Sequence, residues 1–564
     1  MIRKVMYFSV EMFKDNRRMK PLFLSFFFCL IGVMRLQAQF TRADTLRGAL
    51  RPERTCYDVY FYDLELEVDI ENKSIKGSNT IYYNTKIGFN LLQIDLFENM
   101  EIDKIVHKGK VLEYNRKYNA VFVNFGQMQE AKTQGEFKVF FHGTPITAQN
   151  PPWNGGFVWK EDKNGKPFVA TVCEGIGASL WWPNKDHLSD EPDSMRIRCT
   201  VPKDLMCVSN GNMRRKSTKG KQQVEYEWFV SYPINNYNVT LNIAHYVHFS
   251  DTFLSPTDGS KLPMDYYVLP YNLQKARKQF KQSHKILDVF ERYFGKYPFW
   301  NDGYALVETP YLGMEHQSAI AYGNEYMTGY KGRHPKGVPV DYIILHETGH
   351  EWWGNSISCR DHGEMWLHEA FTTYMEAIYV EAVYGYADAI RYVKYHMAYV
   401  ANRHPLLGPL NVNYDQPDVD IYYKGSAMLH TLRRAINEDK IWWDLLKSFY
   451  QEHALGLVGT EQFIDYVNEK TGEDYAYFFD QYLRTSDLPV LWVRIKKKKR
   501  FTLLKYKWGK AVDNFKLPVY LKNWEGAWLP LKPEYGRWKR KKLNKVASEK
   551  LEFDFGLFEL QQVE

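Results

Sequence analysis

The chain has 564 residues, 45% hydrophobic, 25% charged and 16% aromatic, with a formal net charge of +7. That length exceeds one comfortable core, so about three domains are expected, and the composition excludes a disordered or fibrous chain. A net charge this small for the size gives no reason to expect a nucleic-acid partner.

At the start of the chain Arg17, Arg18 and Lys20 precede the apolar run 21–34, which is followed by Arg35 and the small residue Ala38. A basic region, a short apolar stretch and a small residue at a cut describe an export signal over residues 1–38, and the run is short for a bilayer span. A start at Met1 or at Met19 stays open. The expectation is export to a periplasmic or extracellular space, no transmembrane span in the mature chain, and membrane association if the signal is retained. Five cysteines remain beyond it, Cys56, Cys173, Cys199, Cys207 and Cys359. An odd and sparse set argues against a disulfide framework. Cys199 and Cys207 flank a turn at Val201–Asp204, and a bridge between them is left open.

Residues 45–262 read mostly as strands. Asp63–Ile70 alternates charged and apolar side chains strictly, the pattern of a half-buried antiparallel strand. Gly77–Tyr83, Ala120–Phe125, Phe137–His142 and Tyr237–Tyr246 continue it, giving an N-terminal β domain of sandwich or saddle type. Helical signals begin near Leu273, with Phe280, Ile286, Leu287, Phe290 and Phe294 on one face and a stop at Gly295–Pro298. A strand at Tyr304–Glu308 follows. Helices then dominate to residue 488: one carrying His346, one from Trp366 to about Tyr384, and several between Lys424 and Leu483. From 489 to 564 strands return at Val490–Ile495, Phe501–Trp508 and Leu517–Leu521, a small C-terminal β-sandwich. Its basic runs Lys496–Arg500 and Arg537–Lys542 read as solvated strand tips, with a weak contact to an anionic surface as the alternative. The fold class is therefore multidomain α+β, with three bodies at 45–262, 263–488 and 489–564.

The chemistry-bearing stretch is His346-Glu347-Thr348-Gly349-His350. Histidines four apart lie one turn above each other on a helix, and Glu347 overlooks the same spot. Two imidazole ligands with a carboxylate beside them form a zinc-hydrolase signature. A catalytic zinc needs a third protein ligand and an open position, and Glu369 is the best candidate for that ligand. Glu376, seven residues on, shares a helical face with Glu369 and is placed to hold a ligating imidazole by its distal nitrogen.

The run His346–Asn355, with eighteen residues between His350 and Glu369, resembles the aminopeptidase N family of gluzincin zinc metallopeptidases, which includes leukotriene A-type epoxide hydrolases. Gly313-Met314-Glu315 resembles its exopeptidase motif and Tyr422-Tyr423-Lys424-Gly425 its Tyr-x-Lys-Gly motif. Thr171–Glu174, Trp182–Asp186 and Ser209–Gly211 match its β-domain pattern. The resemblance implies a β saddle, a thermolysin-like α/β catalytic domain, and one Zn2+ held by His346, His350 and Glu369. It implies Glu347 as general base, Tyr422 as donor to the oxyanion, and Glu315 with Glu174 as anchors for the ammonium of peptides with a free N-terminus. Four positions depart from its pattern: Leu312, His316, His368 and Ala370. Three other readings remain at this stage: an epoxide hydrolase on the same zinc, a thermolysin-like endopeptidase, and a non-catalytic scaffold.

Overall fold

A computed structural model describes residues 40–413, 418–523, 526–543 and 551–564. The export signal expected over 1–38 lies outside the described residues. The N-terminal β domain is built on a ten-stranded sheet. At its centre Tyr57–Asp69 pairs antiparallel with Ser74–Thr85 and parallel with Ser194–Pro202, Leu64 lying opposite Ile197. The strict alternation has its physical counterpart here. Leu64, Leu66 and Val68 are buried, while Asp63 and Glu65 face outward onto Arg196 and Arg198. A second sheet has four short strands, Met206–Val208, Asn242–Ala244, Pro167–Val172 and Gly156–Glu161, in that order.

Two expectations are corrected. Tyr237–Tyr246 is not one strand: Asn236–Asn238 is a 3-10 turn, and only Asn242–Ala244 pairs. The Asn235 side chain accepts the N–H of Asn238, a local hydrogen bond that outcompetes the ladder. The sheet of the catalytic body also begins before residue 263. Val247–Leu254 pairs with Lys261–Val268, which pairs in turn with Tyr304–Glu308, then Ile320–Tyr322 and Gly313–Met314.

Against this sheet pack the helices Leu273–Gln279 and Gln282–Phe294, the latter ended by Gly295 at φ 106°. Three helices position the chemistry. Tyr342–His350 is buried nearly all round, Trp366–Tyr384 buries its first fifteen residues, and Asp420–Ile436 lies beside it. An aromatic stack fastens the first two, with Trp353 3.8 Å from Phe371 between ring centres. The C-terminal part holds a four-stranded sheet and a two-stranded ribbon. Cys199 and Cys207 are both buried and free, so the bridge left open from the sequence is not formed. Among the described residues no helix is long and apolar enough to cross a membrane.

Candidate metal centre and its acidic pocket

The helix Tyr342–His350 begins at Asp341, whose carboxylate accepts the N–H groups of Ile343 and Ile344. That cap fixes the start of the helix and hence the direction in which His346 and His350 point. Their Nε2 atoms are 3.1 Å apart. The helix Trp366–Tyr384 brings Glu369 across, its Oε2 3.4 Å from each Nε2.

The remaining ring nitrogens decide the protonation. His346 Nδ1 lies 2.6 Å from Glu376 Oε1, and His350 Nδ1 lies 3.0 Å from the Trp353 carbonyl oxygen. Both partners are acceptors, so each Nδ1 carries the hydrogen and each Nε2 turns a lone pair inward. Glu369 Oε2 is buried and has no hydrogen-bond partner. Two lone pairs and an orphaned carboxylate oxygen converging on one point repel each other, and a cation removes the repulsion. The donor set of two imidazoles and one carboxylate fits a divalent zinc-type ion. Glu376 is itself held by the hydroxyl of Tyr392 on the next helix, a partner the sequence reading missed.

Four carboxylates crowd this centre. Glu347 is buried beside the histidines; withdrawal from water pushes it up, partly opposed by His346 and His350, to about 8. Burial also pushes up Glu369, but His350 and His346 overturn that and hold it well below the usual carboxylate range. Glu315 and His350 bring their ligand atoms within 4.8 Å of Glu347, and Glu174 does the same with Glu315 and Glu369. Burial, followed by the Glu315 and Glu369 charges, raises Glu174 well above its ordinary value. Burial raises Glu315, with His350 opposing and Glu369 adding.

The motif glycines explain how these groups come so close. A Cβ on Gly313 would sit 2.6 Å from Glu347 Oε1 and 2.6 Å from Ile343 Cγ2, so only glycine lets the edge strand lie on the helix. Two residues on, Glu315 points into the cavity and accepts from Tyr237 O–H at 3.0 Å. That tyrosine sits in the turn misread as a strand, and its role was missed for that reason. Asn210 donates to the carbonyls of Asn238 and Gln317, and Gly211 N–H donates to Ser318, so Ser209–Gly211 ties the β domain to the segment bearing Glu315. Glu174 follows the strand Pro167–Val172 in a turn braced by Arg47, which donates to Gly175 O and pairs with Asp186.

On the opposite wall, Gly425 packs against Ala370, where an added Cβ would lie 2.4 Å from the alanine methyl. This contact sets Tyr422 over the centre, its ring 6.0 Å from that of His346. Burial and the nearby Glu369 keep its phenol protonated. Lys424 points away and donates to Ser486 O at 2.6 Å, anchoring the helix to the end of the catalytic body.

Of the departures, His368 accepts the N–H of Cys359 at 2.8 Å and acts as a brace. His316 is fully buried with neither ring nitrogen hydrogen-bonded, and nothing in the structure explains it. Leu312 forms cavity wall. The cavity measures about 440 Å3 and is lined by Glu174, Glu315, His346, Glu347, His350, Glu369, Glu376 and Tyr422 among others. It thus holds the eight residues assigned a metal, catalytic, amine-binding or supporting role from the sequence.

Comparison with known proteins agrees with this architecture. Residues 59–237 match the Peptidase M1 N-terminal domain and residues 278–482 the Peptidase family M1 domain. The chain belongs to the M1 family of metallopeptidases, the aminopeptidase N-type gluzincins. It is similar to probable aminopeptidase 1 of Saccharolobus solfataricus, 20% identical over 460 residues, covering 78% of this chain and 56% of that protein. It is also similar to aminopeptidase 2 of Candida albicans, 20% identical, covering 84% and 54%. The chain thus spans about half the length of these curated relatives. Among solved structures, a mutant M1 zinc metallopeptidase from Deinococcus radiodurans bound to a Tyr-Ser-Ala substrate superposes with a TM-score of 0.63. It is 19% identical, and the match covers 77% of this chain and 95% of that one.

Proposed function

We propose that the protein is a zinc-dependent aminopeptidase that removes the N-terminal residue of peptides. The observation that carries this reading is the second pair of acids, Glu174 and Glu315, set beside the His346, His350 and Glu369 triad in one pocket. One divalent ion satisfies the triad. The two further carboxylates need another positive charge, and a substrate α-ammonium supplies it. An interior peptide bond brings no ammonium and would leave both acids unpaired in the cavity, which disfavours endopeptidase cleavage.

His346, His350 and Glu369 would hold the zinc, which when bound lowers the pKa of the attacking water and polarises the scissile carbonyl. Glu347 takes the proton of that water and delivers it to the leaving amine. Tyr422 donates its O–H to the carbonyl oxygen as charge builds there. Tyr237 and Asn355 hold Glu315, one at the side chain and one at the backbone carbonyl. We also propose export of the chain, supported by the basic residues Arg17, Arg18 and Lys20 before the apolar run 21–34.

A panel of aminoacyl fluorogenic substrates tests the activity. Cleavage should vanish with a chelator and return with zinc, and acetylation of the substrate amine should abolish it. Equal cleavage of acetylated and free peptides would overturn the amine-anchor reading.

A further inference from the structure

The C-terminal four-stranded sheet places Lys539–Leu543, Thr502–Lys510, Val490–Lys497 and Glu559–Gln562 side by side in that order. Alternation sends Leu491, Val493, Leu504, Tyr506 and Trp508 into the core. It therefore turns Arg494, Lys496, Lys505 and Lys507 to the opposite side. The register adds two more cations. Arg494 lies opposite Lys505, Lys505 opposite Arg540, and Leu503 opposite both Lys496 and Lys542. Cross-strand partners share a face, so six cations stand on one side of the sheet, about 4.8 Å apart between strands and about 6.8 Å apart along them.

The four strands hold ten basic residues and one acid, Glu559 on the edge strand. The ion pairs formed nearby by described residues use Lys522, Arg537 and Lys539, and none uses the six. Like charges directly opposite one another destabilise a sheet. A strand set selected only to fold has no use for Arg494, Lys505 and Arg540 in a row.

Between the cations sit partly exposed apolar groups, Trp492, Phe501, Leu503 and Trp538. Arg494 lies 4.6 Å from the Trp538 ring centre, Lys507 4.9 Å from that of Trp492, and Lys542 4.6 Å from that of Phe501. Trp492 lies so close to Gly509 that a Cβ there would be 2.1 Å from the indole.

We propose that this face docks the enzyme on an anionic phospholipid bilayer. Headgroup phosphates meet the cations, while the partly exposed Trp538 and Leu503 reach the interfacial layer where tryptophan is favoured. A bilayer meets cations on three neighbouring strands at once, whereas a single nucleic-acid strand wants a groove and open aromatic faces for stacking. Here Lys507 already lies over Trp492, and both Arg494 and Lys507 lie over Trp538. None of these residues lines the cavity that holds His346, His350 and Glu369.

The test uses the full chain in vesicle sedimentation, with phosphatidylcholine alone and with about one third phosphatidylglycerol. Each basic residue near such a surface contributes about five-fold in partitioning before screening. The variant carrying Arg494→Gln, Lys505→Gln, Lys507→Gln and Arg540→Gln should therefore bind phosphatidylglycerol vesicles at least about ten-fold more weakly. Wild-type binding should also fall as salt rises. An unchanged thermal unfolding trace shows that the variant is folded. Equal binding to both vesicle types, undiminished binding by the variant, or tighter capture by a single-stranded oligonucleotide would each overturn the proposal.

Discussion

Gly425→Ala is the sharpest probe of how this site is assembled. The new methyl would lie 2.4 Å from the Ala370 methyl, whereas carbon atoms pack at about 3.5–4.0 Å. The helices Trp366–Tyr384 and Asp420–Ile436 must then part by about 1–1.5 Å. Overpacking of this kind costs about 1–3 kcal/mol, and alanine in place of glycine in a helix interior returns about 1 kcal/mol. The net loss is therefore about 0–2 kcal/mol. Function suffers more than stability, because Glu369 lies one residue before Ala370 and Tyr422 three before Gly425. Separation of about 1 Å between a ligand and the oxyanion donor should cost on the order of a hundred-fold in kcat. The assay is steady-state hydrolysis of an aminoacyl anilide beside thermal inactivation. Adding Ala370→Gly removes the opposing methyl, and the double variant should regain most of both losses. Wild-type kcat in Gly425→Ala, or a double variant no better than the single, would refute the close-packing argument.

Two further outcomes follow from the same geometry. Tyr422→Phe keeps the ring but removes the O–H, and kcat should fall by about 10²–10³-fold with KM little changed; a change confined to KM would contradict its place in the reaction. Glu376→Gln weakens the hold on His346 Nδ1 and should loosen zinc by about 10–100-fold in chelator competition; unaltered metal affinity would show the 2.6 Å contact to be incidental.

Local signals carried far in this chain. The helix Trp366–Tyr384 and the strand Tyr304–Glu308 lie where periodicity put them, because tertiary packing there agrees with local preference. The His346 to His350 spacing gave two donors outright, since one helical turn fixes their relation. Contacts across long sequence separations were not legible from the residues themselves. Tyr237 reaches Glu315 over 78 residues, and nothing in its neighbourhood announces a pocket. Tyr392 holds Glu376 from a different helix. The strand misread at Tyr237–Tyr246 failed for a local reason, as asparagines offered the backbone side-chain partners in place of a ladder. Gly425 was legible only as part of a motif; its need for a neighbour as small as Ala370 is a property of the helix pair.

The acids that grip the start of a peptide have a consequence for the end of the cycle. A freed amino acid would leave with its ammonium intact, the handle by which Glu315 and Glu174 are proposed to hold the chain. On the proposed function, free amino acids should therefore slow turnover, and hydrolysis should run fastest where they are carried away.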